Sequence, residues 1–144
     1  MKKLMLICAA ASMMLSGCVT LGGKPLTSAT TTEAVTAVAQ AGAAIADAQH
    51  VTPPSALMSA SVKAVAQQRV RDAFKVFDKT LTVIDALHLT RNSPKALKVK
   101  HAIEAVRVAL NLASSAVAVS NSASYSEALG HAQTALADVT AALK

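Results

Sequence analysis

The chain has 144 residues, 53% of them hydrophobic, with a formal net charge of +6, two cysteines, no tryptophan and 2% aromatics. Two cysteines are too few for a disulfide-stapled scaffold. Phe74, Phe77 and Tyr125 alone cannot supply the basic, aromatic-interleaved surface of a single-strand nucleic-acid binder.

Lys2 and Lys3 open the chain, residues 4–15 are almost wholly apolar, and Ser16 and Gly17 are small. A positive start, a short apolar core and small residues before a cut mark residues 1–17 as a processing segment. The apolar run is shorter than the roughly 20 residues needed to cross about 30 Å of hydrocarbon. Leu15-Ser16-Gly17-Cys18 resembles the lipobox of bacterial lipoproteins. The resemblance implies that the peptide before Cys18 is cut away, that its thiol is alkylated with diacylglycerol, and that the new amino terminus is acylated. One acyl chain holds a membrane marginally and two or more hold it stably, each buried methylene adding about 0.8 kcal/mol. In that family an aspartate after the cysteine favours the inner membrane. Val19 stands there, so the resemblance implies the outer membrane of a Gram-negative cell, facing the periplasm. The residues alone also allow an ordinary signal peptide cut near Cys18, leaving a free thiol. On the lipobox reading Cys8 leaves with the signal peptide and Cys18 is consumed by lipid, so no thiol remains for a disulfide, a metal or a nucleophile. Loss of Lys2 and Lys3 lowers the net charge from +6 to +4, a mild bias rather than a nucleic-acid signature.

Residues 18–31 carry the lipidated cysteine and then VTLGGKPLTSATT, rich in Gly, Ser and Thr and without apolar period. They read as a flexible tether, with a root-mean-square span of order 20 Å for ~13 residues. Residues 32–144 read as the folded domain. Apolar residues recur there every three to four positions in four segments, which predicts an all-α, Ala-rich, three- or four-helix antiparallel bundle. In the first segment Thr30-x-x-Glu33 has capping-box spacing, and Val35, Val38, Gly42 and Ile45 follow as its stripe. Thr52-Pro53-Pro54 stops it, because proline lacks an N–H and clashes with the preceding turn. Gly42-x-x-x-Ala46 has the small-residue spacing of tight helix packing.

The second helix is expected to begin between Ser55 and Ser61 and to run to about His88, with Val70, Phe74, Phe77, Leu81 and Ile84 facing the core. Asp72 and Lys75 lie on its solvated side. Ser93-Pro94 opens the third, proline being harmless at the first helical position. Its stripe is Val99, Ile103, Val106, Leu110, Ala113 and Val117, and it fades in Ser120-Asn121-Ser122. Ser124-x-x-Glu127 is expected to cap the fourth, whose stripe is Leu129, Ala132, Leu136, Val139 and Leu143.

Reactive constellations are scarce. His50, His88, His101 and His131 fall on different segments; His101 and Glu104 at i,i+3 have the spacing of two metal ligands, but the stripes supply no inward carboxylates to complete a site. No GxSxG elbow or Ser-Lys signature is present, and Gly22-Gly23-Lys24 lacks P-loop spacing. No enzymatic activity, metal, cofactor, small-molecule substrate or nucleic acid is therefore expected. His88, Arg91, Lys95, Lys98, Lys100 and His101 form the one unbalanced patch, with no acid between Asp85 and Glu104. It reads first as a solubilising loop and second as a site for anionic lipid headgroups.

FDKTLTVIDAL at 77–87, NSPKALKVKHAIEAVRVALNLA at 92–113 and SEALGHAQTALADVTAAL at 126–143 resemble short helical lipoproteins of alphaproteobacteria and their prophages. The resemblance implies an envelope setting and no activity. The expected function is a structural or protein-interaction lipoprotein, anchored through Cys18 and engaging a helical protein partner. The alternative is a phage-type envelope protein of lysis or exclusion, such as the outer lipoprotein of a spanin pair. The first helix has the stripe poorest in large apolar groups, so Ala41, Ala44 and Ala48 are expected to form an exposed seam for that partner.

Overall fold

A computed structural model describes residues 28–51 and 57–144. The processing segment 1–17, Cys18, the tether up to residue 27 and the Thr52-Pro53-Pro54 stop lie outside the described residues. Within them the chain forms four helices: α1 Thr31–Gln49, α2 Ala60–Asp85, α3 Pro94–Ala118 and α4 Ser122–Leu143. The fold is all-α, as the four apolar stripes predict.

Three helix starts follow directly from local sequence. The Thr30 hydroxyl accepts from the Glu33 N–H at 3.2 Å while the Glu33 carboxylate accepts from the Thr30 N–H at 2.6 Å, a complete capping box. Ser59 and Ser93 cap α2 and α3 by accepting from the N–H groups of Val62 and Ala96. The fourth start differs from expectation. Asn121, not Ser124, caps α4, its side-chain oxygen accepting from the Ser124 N–H at 3.0 Å.

The reason lies at the end of α3, where Ser120 takes a left-handed φ of 57°. The Ser120 N–H donates to the Val117 carbonyl and the Asn121 N–H to the Ala116 carbonyl, the two bonds of a Schellman termination. This reverses the chain within three residues, so α4 begins sooner than its own capping signal suggests. The position is usually glycine's, and serine there accepts some backbone strain.

Contacts at the helix ends set the topology. The Ala29 N–H donates to the Ala86 carbonyl, joining the start of α1 to the end of α2. Lys63, near the start of α2, donates its ammonium to the Ala118 carbonyl at the end of α3. Tyr125 in the first turn of α4 reaches Ala48 at the end of α1. Successive helices are therefore antiparallel, and the ring closes through α1 and α4. The α3–α4 pair shares the largest interface and α2–α3 the smallest of the four neighbours. The result is an up-down-up-down four-helix bundle.

The core is built largely from small side chains. Four of the six buried residues of α1 are alanines (Ala34, Ala37, Ala41 and Ala48), with Val38 and Ile45 completing the set. On α2 the buried track is Ala66, Val70, Ala73, Phe77, Thr80 and Ile84. The expected Phe74 and Leu81 are displaced from the centre by their neighbours Ala73 and Thr80, and pack half-buried against the core's edge. Both tracks satisfy the 3–4 spacing. The track with the smaller residues wins because it lets α1 lie close, and the Thr80 hydroxyl then finds the Ala37 carbonyl at 3.0 Å. The stripes expected on α3 and α4 are buried as read, except that Ile103 is half-buried. Gly42 does not mark a forced approach. A Cβ built there would meet Leu136 Cδ1 at 3.9 Å, an ordinary contact.

Phe77, 1% exposed, is the largest apolar side chain in this small-residue core. Phe77→Ala is expected to cost roughly 3 to 5 kcal/mol, since neighbouring alanines cannot extend into the void. Thermal melts followed by circular dichroism check this, and an unchanged midpoint contradicts it.

Candidate functional site

The sequence points to α1 as a detachable, partner-binding helix with an exposed seam at Ala41, Ala44 and Ala48. The structure corrects this: Ala41 and Ala48 are fully buried, Ala44 is half-buried, and α1 packs against both α2 and α4. Small side chains here mean close packing inside the bundle. Buried hydroxyls secure the helix near both of its ends, Thr80 on the Ala37 carbonyl at 3.0 Å and Tyr125 on the Ala48 carbonyl at 2.8 Å. Burial of Tyr125 raises its pKa from 10.0 to about 12, with Arg69 pulling weakly the other way. The neutral phenol needed as donor to Ala48 is thus favoured by its own surroundings.

An outward apolar surface exists instead on α3. Leu97, Val108, Leu112 and Val119 are 41 to 72% exposed. His101, Ala105, Val108, Leu112, Ser115 and Val119 repeat at intervals of four and three, so α3 carries a second stripe outside the one buried in the core. Its middle lies in an open groove of about 460 Å³ between α3 and α4, floored by Ala105 and Ala109 and flanked by His101, Glu104 and His131. The signal for this stripe was present in the sequence. It was hidden because the inner stripe of α3 accounts for the helix by itself.

The groove brings together His101, Glu104 and His131, two of them the i,i+3 pair considered above as metal ligands. Glu104 faces Arg107 at 3.5 Å. Among the described residues no group of three or more His, Cys, Asp or Glu side chains is arranged to hold a metal ion. A shallower groove lies between α1 and α4, lined by Val38, Gly42, Leu136 and Thr140, and it presents no convergent set of polar groups.

The basic stretch forms a corner where α2 meets α3. Arg91, Lys95, Lys98 and Lys100 are all exposed, and among the described residues none of the four forms an ion pair; the pairs found are Lys75–Asp72 and Arg107–Glu104. Lys95 stands second in α3, whose first turn holds no acidic residue. Cations at a helix N-terminus oppose the helix dipole.

Comparison with protein-family models, with curated proteins and with solved structures finds no match to this chain.

The tie between α4 and α1 sets a pH limit on the fold. A tyrosine whose pKa is higher folded than unfolded stabilises the native state fully below pH 10 and loses that contribution as pH rises through about 12. Wild-type stability is expected to fall over this interval by up to about 2 to 3 kcal/mol more than that of Tyr125→Phe. At neutral pH the Phe variant is expected to be less stable by roughly 1 to 2 kcal/mol, from the lost hydrogen bond. Urea unfolding of both proteins across the pH range checks the sign.

Proposed function

We propose that the chain is a lipid-anchored envelope protein, held by acylation of Cys18 on the periplasmic face of the outer membrane, with a structural or protein-interaction role. The observation that carries this reading is Leu15-Ser16-Gly17-Cys18 placed directly after a positively started apolar run. No described helix is long and apolar enough to cross a membrane, which is compatible with attachment through a lipid.

The interaction role rests on the outer stripe of α3. An apolar row at 3–4 spacing, set in a groove between two antiparallel helices, fits an amphipathic helix laid along it. Among the described residues the core is built of Ala, Val, Leu and Ile with Phe77, Met58 and Tyr125, and the outer stripe of α3 lies on the surface. Val108 and Leu112 are therefore the residues proposed to meet a helical partner, in place of the buried alanines of α1.

Replacing Cys18 with Ala is expected to abolish incorporation of a fatty-acid label and to leave an unprocessed or membrane-released chain. A label that survives the substitution overturns the anchor. For the partner, a photo-reactive residue at Leu112 is expected to give a discrete adduct in cells that weakens when Cys18 is replaced, while the same residue at Lys75 gives none. Equal behaviour at the two positions removes the interaction role and leaves the anchor standing.

A further inference from the structure

The N–H of Ala29 is bonded to the carbonyl of Ala86 at 2.9 Å, and Ala86 is the C-cap of α2. The chain preceding the bundle therefore enters at the end where α2 turns into α3. That is the end bearing Arg91, Lys95, Lys98 and Lys100. On the reading that Cys18 carries lipid, we infer that this basic corner docks on the anionic phospholipid headgroups of the membrane that holds the anchor.

Geometry limits the alternatives. Nine residues lie between Cys18 and Ser28, and these ten residue steps span at most about 35 Å even when fully extended. The bundle is about as long, since the 26 residues of α2 extend for ~39 Å. The end at which the tether arrives is thus held near the bilayer, and the opposite end reaches it only when the tether is stretched to its limit or the bundle lies flat. Lys95 and Lys100 are separated by only about 7.5 Å along α3. Lys95 and Lys98 stand only about 4.5 Å apart along one face of α3, within one Debye length at physiological salt, about 8 Å.

The acids nearest this end form no ion pair with the patch. Glu33 is engaged in the capping box of α1, Glu104 faces Arg107, and Asp85 and Asp138 lie on α2 and α4. None of the four basic residues is paired with them. Lys95 also stands where the dipole of α3 disfavours positive charge, so it weakens the isolated fold. An anionic surface against the corner removes that penalty. Each Lys or Arg near such a surface multiplies the docked population about fivefold, and a tethered protein already has a high effective concentration at the membrane.

The experiment uses the full chain as produced in an envelope, mixed with phosphatidylcholine vesicles with or without phosphatidylglycerol, and measures lysine acetylation rates by mass spectrometry. With phosphatidylglycerol present, Lys95, Lys98 and Lys100 are expected to react at least about fivefold more slowly. Lys75, some 15 Å from that end along α2, keeps its rate, and high salt removes the protection. The double substitution Arg91→Glu with Lys98→Glu is expected to abolish the protection of Lys95 and Lys100. Flotation with pure phosphatidylcholine reports the anchor independently, so a chain that fails to float refutes the lipid at Cys18, and the acetylation pattern still decides the docking. Identical rates in the two vesicles overturn the inference. So does protection that appears in native membranes but not on phosphatidylglycerol, which would assign the corner to a protein partner.

Discussion

The position of α1 decides the character of this molecule. A helix that buries four alanines, one valine and one isoleucine gains less from apolar burial than its neighbours do. It is fixed in place by polar bonds made in a dry setting. The Thr80 hydroxyl reaches the Ala37 carbonyl near one end and the Tyr125 hydroxyl reaches the Ala48 carbonyl at the other. The Ala37 carbonyl, used within the helix, has a second lone pair, and the Ala48 carbonyl is among the last four that a helix leaves without an i+4 partner, so neither bond breaks the ladder. Both hydroxyls are almost fully buried. Thr80 shares its one proton between Ala37 and the Val76 carbonyl of its own helix at 2.9 Å, whereas Tyr125 without Ala48 would lose its acceptor at about 1 to 3 kcal/mol. The Tyr125 bond therefore favours one axial placement of α1 where shallow alanine ridges would tolerate several.

Small core residues carry a second consequence. Helices faced with alanine approach closely, so the interior has little room for a ligand, and its larger members Tyr125, Phe77, Ile45, Leu110 and Leu129 are fully enclosed. Other features lie on the exterior. There the distinctive features are the second apolar stripe of α3 and the basic corner at its start. They lie on one helix, the stripe running from His101 to Val119 and the cations gathered before it. A membrane-held bundle with its charged end toward the headgroups would present the α3–α4 groove sideways, accessible to a neighbour anchored in the same plane.

Much of the fold is legible in the residues because it depends on local chemistry. The Thr30–Glu33 box and the Ser93-Pro94 start each require only a few consecutive residues, and each is found where the sequence puts it, while Ser59 caps α2 within the range Ser55 to Ser61 expected for its start. The inner stripes of α3 and α4 are legible for a similar reason: Val, Leu and Ile at 3–4 spacing leave a helix only one economical face to bury. The lipobox resemblance is equally local and depends on nothing that folds.

What the sequence by itself determined is thus the all-α class, four apolar segments, the starts of α1 and α3, two of the core faces and the expectation of an anchor at Cys18. Tertiary structure decided the rest, where two local solutions were nearly equal in energy. On α2 the tracks through Phe74 and Leu81 and through Ala73 and Thr80 have the same period, and only the approach of α1 selects the second. At the head of α4 the Ser124-x-x-Glu127 pattern is sound chemistry, but the Schellman turn at Ser120 starts the helix earlier and puts Tyr125 in line with Ala48. On α1 a row of alanines fits an exposed seam as well as a buried contact. Alanine's small transfer free energy expresses little preference between water and core, so partners distant in sequence had to make the choice.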